Sequence, residues 1–214
     1  MFLFGGMMVN FDIRLIAVFV ITYLIGSVPL AFWLGKWVYR IDLRHFGMGD
    51  VGALNAYRIK KNIWIALVIG LIDLGKGMVS VWLAMHFFPQ HFTAVMLAMG
   101  GVLFGDVFPV WLGFKGSRGL AVSAGALLMV NAYLVAVWLG LFVIFYLLIR
   151  QHIIAILIAS FGLPLIVFFM LNIYFTGDIL ILILLVSTLI FQRHLERVPD
   201  LVEQKYQKIK NGEK

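Results

Sequence analysis

The sequence predicts an all-α integral membrane protein with seven transmembrane helices, N-terminus outside and C-terminus cytoplasmic. Three observations lead there. Of the 214 residues, 63% are hydrophobic and only 13% charged, whereas soluble domains run at about 45–50% apolar and about 25% charged. Long apolar runs recur along the chain, and about 20 helical residues suffice to cross the hydrocarbon core. Lysine and arginine collect in alternate connections between those runs. A soluble globular domain, a disordered chain and a collagen-like repeat are excluded by the same composition. With no cysteine, so is a disulfide scaffold.

The first apolar run covers about Ile13–Tyr39. The residues before it lack a basic n-region and no A-x-A-like cleavage site follows, so it is expected to be a retained span. A polar stretch from Arg40 to Asn62 comes next and is expected to be a loop. Further runs cover Ile63–Phe88, Phe92–Leu112, Leu120–Val130, Ala132–Ile149, Ile153–Leu171 and Ile179–Phe191. Leu120–Val130 and Ile179–Phe191 are short for a crossing. Each is expected to borrow flanking residues or to adjoin a loop that dips into the bilayer. No internal repeat stands out. Residues 1–192 read as a single membrane domain and residues 193–214 as a basic cytoplasmic tail.

Charge placement sets the orientation. Arg40, Arg44, Arg58, Lys60, Lys61, Lys115, Arg118 and Arg150 lie in connections on one side, with Arg193, Arg197 and the tail lysines. The alternate connections, Pro89–His91, Asn131 and Asn172–Asp178, hold no lysine or arginine. The positive-inside rule puts the basic set in the cytoplasm, which an odd number of spans satisfies and six would not. The net charge of +7 therefore points first to cytoplasmic loops and anionic head groups, then to phosphorylated substrates, and away from nucleic acid. The five histidines are scattered without metal-ligand spacing, so no metal site is expected.

Four places carry candidate chemistry. The first basic loop contains Gly47, Gly49 and Gly52, spaced as G-x-G-x-x-G but with no βαβ unit to make it a dinucleotide site. What remains is an anion nest of backbone N–H groups beside Arg58. The same loop has His45 and Asp50 in the H-x4-D spacing of a soluble acyltransferase superfamily, whose globular domain this chain has no room for. The second loop, Gly113-Phe114-Lys115-Gly116-Ser117-Arg118-Gly119, alternates glycines with cations and suits a phosphate group at a membrane exit. Inside the second run, Asp73 and Lys76 are three residues apart on one helix face and can pair, about 15 Å deep counted from Ile63. Charges at that depth are costly and usually serve a polar interior. Asp106, near the cytoplasmic end of the third run, is a further buried carboxylate with no partner nearby in sequence. The fourth place is Arg193-His194-Leu195-Glu196-Arg197, with His194 and Arg197 on one helix face.

Taken together, these segments resemble the membrane-integral acyl-phosphate:glycerol-3-phosphate acyltransferases, the PlsY family, over nearly the whole chain. Gly47, Gly49, Gly52, Asn55 and Arg58 match the first family motif, and Asp73, Lys76 and Gly77 an intramembrane Asp-x-x-Lys-Gly. Gly105, Phe108, Pro109, Phe114, Lys115, Gly116 and Gly119 match the second motif, Arg150 a later arginine, and Arg193, His194 and Glu196 the C-terminal one. The resemblance implies a PlsY-like seven-helix fold in the bacterial plasma membrane, its active face cytoplasmic. It also implies acyl transfer from acyl phosphate to glycerol 3-phosphate, giving lysophosphatidic acid for phospholipid synthesis with no cofactor. By position, Asn55, His194 and Glu196 would be catalytic. Gly47, Gly49, Gly52, Arg58, Lys115, Gly116, Arg118 and Arg193 would hold substrate phosphate, with Asp73, Lys76 and Asp106 as intramembrane support.

The chain departs from the motifs at chosen points. Met48 stands for Ser, Asp50 for Asn, Leu54 for Thr, Asp106 for His, Ser117-Arg118 for Gly-Lys, and Arg197 for Asn. Met48 cannot donate to a phosphate oxygen, and an ionised Asp50 repels one. Two functions are therefore compatible with these residues. One is a divergent acyltransferase acting on glycerol 3-phosphate or another polar acceptor. The other is a retasked or non-catalytic relative that binds or moves a lipid, or serves as partner subunit of another membrane enzyme.

Overall fold

The computed structural model describes residues 3–4, 7–8, 13–40, 42–45, 51–89, 91–171, 173–196 and 198–199. Its architecture is all-α but for two short antiparallel strands, β1 (Leu3–Phe4) and β2 (Met7–Met8), paired Leu3 to Met8 and Phe4 to Met7. The chain forms two compact units, residues 1–117 with 121–129, and residues 118–120 with 130–214.

In the first unit the run expected as one helix is two, α1 (Ile13–Ser27) and α2 (Leu30–Tyr39). The break falls at Val28-Pro29. Proline lacks the N–H that would continue the ladder, and its ring disfavours helical geometry in the residue before it. The stretch expected as a loop holds a helix, α3 (Ala53–Lys60), which starts after an extended Gly52 and stops at a left-handed Lys61. This helix buries Asn55 and Ala56 while Arg58 stays exposed. Its apolar side joins Ala31, Val51, Ile69 and Leu112 in one core cluster, with Phe32, Ile59 and Ile65 packed around it.

The long helix α4 (Ile63–Phe87) is capped by Asn62, whose side chain accepts from the Trp64 N–H at 2.9 Å. After α5 (Phe92–Val107) and a single 3-10 turn, Val110–Leu112, comes α6 (Leu120–Val130). The most extensive helix pairing of the unit is α1 against α5. Gly101 and Gly105, a small-x-x-x-small pair, let the two backbones approach: a Cβ on Gly105 would fall on the Tyr23 carbonyl, and one on Gly101 against Phe19 and Thr22. A similar approach joins α4 to α6, where Gly77 abuts the Val122 carbonyl and Gly125 that of Leu74. An apolar groove of about 500 Å³ lies among Ala17, Val18, Ile21, Leu83, Ala84 and Phe87, with Arg14 at its rim.

In the second unit α7 (Ala132–Ile149) packs on α8 (His152–Phe169), and α8 on α9 (Gly177–Leu195). Pro164 inside α8 cannot donate to the Ser160 carbonyl. One turn earlier the Ser160 hydroxyl accepts from the Trp138 indole at 3.2 Å, tying α7 to α8 beside that defect. The run Ile179–Phe191 does borrow flanking residues, as α9 extends through Leu195 and carries Arg193 and His194 on its last turn.

Among the described residues, six helical segments are long and apolar enough to cross a membrane: Ile13–Val38, Ile63–Phe87, Phe92–Leu112, Ala132–Ile149, His152–Phe169 and Gly177–Leu195. The helix Leu120–Val130 is apolar but shorter.

Candidate functional site

The polar interior of the first unit is built where α4 and α5 pass each other. Lys76 on α4 places its ammonium 2.9 Å from Asp73 Oδ1, one turn back on the same helix. The same ammonium lies 3.6 Å from Oδ1 of Asp106 on α5. Asp106, without a partner in sequence, thus finds one across the helix pair. Its other oxygen accepts a hydrogen bond from the Ser117 hydroxyl in the second basic loop. All four side chains are buried or nearly so. Burial leaves two carboxylates and one ammonium dependent on each other and on Ser117, because leaving bulk water costs each of them its hydration.

The loop is anchored through its backbone as well. Phe114 N–H donates to the Pro109 carbonyl at 3.0 Å, Gly116 N–H to Val107 at 3.2 Å and Ser117 N–H to Asp106 at 3.0 Å. The turn needs left-handed geometry at Gly113 (φ 61°) and Phe114 (φ 63°). Gly116 must be a glycine for a different reason: a Cβ there would meet the Asp106 carbonyl and the Pro109 ring. Gly116 is buried while Lys115, its neighbour, is exposed. A cavity of about 10 Å³ sits among Ser27, Pro29, Asp73, Lys76, Asp106 and Ser117, room for about one water and no more.

Near the first loop Arg44 grips Asp42, Nη2 to Oδ2 at 2.6 Å, donates to the Leu112 carbonyl at 3.3 Å and stacks 4.9 Å from the Phe32 ring centre. The hydrogen bonds from Arg44 hold the Asp42 carboxyl below its ordinary value of 3.8. A carboxyl depressed in the folded state adds stability above its unfolded pKa and loses it as pH falls through the lowered value. The pair is partly exposed, so Asp42→Asn is expected to cost at most about 1 kcal/mol at pH 7. The gap in Tm to the native chain should close toward acid. A gap independent of pH would contradict this. His45, the histidine of the H-x4-D spacing, is exposed and faces Asp42 at 3.6 Å. Asp50 lies outside the described residues, as do Gly47, Met48, Gly49 and Arg197.

The remaining expected residues fall as follows. Gly52 stands at the N-cap of α3, Asn55 is fully buried on that helix and Arg58 is exposed. Arg118, the first residue of the second unit, is 8% exposed, far more buried than a positive-inside anchor would be. On α9, Arg193 pairs with Glu196 at 2.8 Å, an exposed contact within one helix. His194 is fully buried and its Nδ1 donates to the Ile190 carbonyl at 2.8 Å, since a carbonyl only accepts. Sequence inspection missed Ser117 and Ser27 as walls of the polar cavity. A signal for Ser117 existed: a lone intramembrane aspartate demands donors, and the loop eleven residues on supplies a hydroxyl. Among the described residues no group of three or more His, Asp or Glu could hold a metal.

Fold and site together define a multi-pass, all-helical membrane protein with a buried charge cluster under a glycine-rich basic loop. The comparisons give the class its name. A family model described as glycerol-3-phosphate acyltransferase matches residues 16–204. The glycerol-3-phosphate acyltransferase of Prochlorococcus marinus (strain MIT 9312) is 30% identical over 198 residues, covering 92% of this chain and 99% of the relative. That of Ehrlichia canis (strain Jake) is 31% identical, covering 90% and 97%. Among solved structures, PlsY, an integral membrane glycerol 3-phosphate acyltransferase, superposes in its glycerol 3-phosphate form with a TM-score of 0.77. That match has 23% identity and covers 89% of this chain and 93% of that one. The lysophosphatidic acid form gives a TM-score of 0.75 at 21% identity. The chain belongs to the glycerol-3-phosphate acyltransferase family, with a PlsY-like fold and the multi-pass membrane character of its bacterial relatives.

Proposed function

We propose that this protein transfers an acyl group from acyl phosphate to the hydroxyl of glycerol 3-phosphate. The hydroxyl oxygen bonds to the acyl carbon, the acyl carbon–oxygen bond to phosphate breaks, and the leaving phosphate takes the hydroxyl proton. The products are lysophosphatidic acid and inorganic phosphate. The observation that carries this reading is the family match over residues 16–204, joined by relatives of the same activity name along almost their whole length. PlsY has been solved in a glycerol 3-phosphate form and in a lysophosphatidic acid form, which fits the same acceptor and product.

On this reading Arg58, Lys115, Arg118 and Arg193 meet substrate phosphate, with Gly47, Gly49, Gly52 and Gly116 giving backbone room for it. Asn55, His194 and Glu196 orient the reacting groups, and Asp73, Lys76 and Asp106 support them from within the membrane. Seven spans are counted by adding α6 to the six long helices. Eleven residues reach only about 16 Å, but five of them are buried against protein, where a short helix needs no lipid-matched length. An odd count, with basic connections inside, puts the N-terminus outside and the loops at 51–62 and 113–119, the tail and the active face in the cytoplasm.

Purified protein given acyl phosphate and glycerol 3-phosphate should release lysophosphatidic acid and phosphate in equal amounts. Arg118→Ala should lower kcat/KM by about a hundredfold, the order expected when a positioned charge is lost. No turnover beside an active family enzyme would sink the reaction and favour a lipid-binding or partner-subunit role. The departures Met48 and Asp50 keep that alternative in view.

A further inference from the structure

The cluster of Asp73, Lys76, Asp106 and Ser117 holds most of the buried charge among the described residues of the first unit, yet it cannot hold a substrate. Its cavity measures about 10 Å³, whereas small-molecule sites run to about 300 Å³ or more. Whatever the cluster does for the reaction, it does through a neighbour. The neighbour is the loop at 113–117. Its Ser117 bonds to Asp106 by both hydroxyl and backbone N–H, and Asp106 is held in turn by Lys76 from the adjoining helix. Ser117 and Asp106, two positions where the chain departs from the motifs it resembles, contact each other directly. The loop also presents exposed Lys115 two residues before Ser117.

We propose that Lys76, Asp106 and Ser117 form a positioning network that fixes the loop at 113–117, and through Lys115 sets the affinity for a phosphate-bearing substrate. The choice of ligands for this network rests on the function proposed above; its geometry does not. A loop turned through two left-handed residues has other backbone states within reach. The Ser117–Asp106–Lys76 chain restricts it to one, so the ammonium of Lys115 is placed before substrate arrives. Asp106 and Ser117 are positioning residues and touch no reacting atom.

The test is a cycle of Ser117→Ala, Asp106→Asn and Lys115→Ala, singly and combined, in purified full-length protein. Each phosphate compound is titrated with the other held saturating, which tells the acceptor's phosphate from the donor's. Ser117→Ala should raise KM for one of the two substrates about tenfold, the order expected for losing a charge-assisted hydrogen bond. Its kcat should stay within about twofold, and in the Lys115→Ala background the substitution should change nothing further. Asp106→Asn should show the same dependence on Lys115. Effects that multiply in that background, a fall in kcat alone, or unchanged KM for both substrates would overturn the proposal. Equilibrium binding of radiolabelled glycerol 3-phosphate and of a non-hydrolysable acyl phosphonate is measured alongside. Binding without turnover, weakened by Ser117→Ala only when Lys115 is present, would sink the proposed reaction and keep the network. A native chain that binds neither compound would sink both.

Discussion

Lys76→Met is expected to destabilise the protein by roughly 3–5 kcal/mol, the usual cost of removing one partner of a buried ion set. The methionine fills similar space, so lost packing is not the cause. The cause is that Asp73 and Asp106 are left facing each other's charge, 5% exposed each, with the ammonium between them gone. The order of effects follows from the charges. Asp106→Asn leaves Lys76 and Asp73 as a one-to-one pair at 2.9 Å and should be the mildest of the three. Asp73→Asn removes the closer contact and should be worse. Lys76→Met should be worst of all. The triple variant Lys76→Met, Asp73→Asn, Asp106→Asn should recover much of the loss, because neutral groups carry no unpaired charge. Thermal unfolding in one detergent, supported by yield in the membrane fraction, reads all four. Equal destabilisation by each single substitution would mean that the three residues do not share a charge balance.

Gly105→Leu is expected to be as damaging, for steric reasons. Here α1 and α5 approach so closely that even a Cβ would fall on the Tyr23 carbonyl and the Ser27 N–H. Backbone cannot rotate away as a flexible side chain can, so the helices must separate along the seam. Overpacking a well-fitted core costs about 1–3 kcal/mol, and the upper end or beyond applies when the obstacle is backbone. Separation would also move Ser27 on α1 and Asp106 on α5, so activity should fall with stability. Gly140→Leu is the matched control, since nothing lies within 4 Å of a Cβ at Gly140. Normal yield and Tm for Gly105→Leu would show that the seam opens at little cost.

Much of the architecture was legible in the sequence because bilayer solvation acts on each segment separately. A run of apolar residues must be helical to satisfy its own backbone, and this alone placed α4 through α9 within a few residues. Two elements escaped. The break between α1 and α2 lay inside an unbroken apolar run, although Pro29 marked it. Helix α3 was hidden in a polar stretch because its few apolar residues, Ala56 and Ile59 among them, are anchored by partners in other elements such as Ala31 and Ile69. For the site, the pairing of Asp73 with Lys76 follows from helical spacing. That of Lys76 with Asp106 does not, since the two lie thirty positions apart with a turn between them.

The sequence by itself determined the class of protein and the family. Each of these depends on composition, local spacing or order along the chain. Only the tertiary structure decided that Asp106 shares Lys76 with Asp73 and holds Ser117, and that the space among them admits about one water. The physical reason is that the energy of a buried charge depends on what lies within a few ångströms of it in space. Here that distance is set by the packing of α4 against α5, which brings together side chains thirty positions apart in the chain.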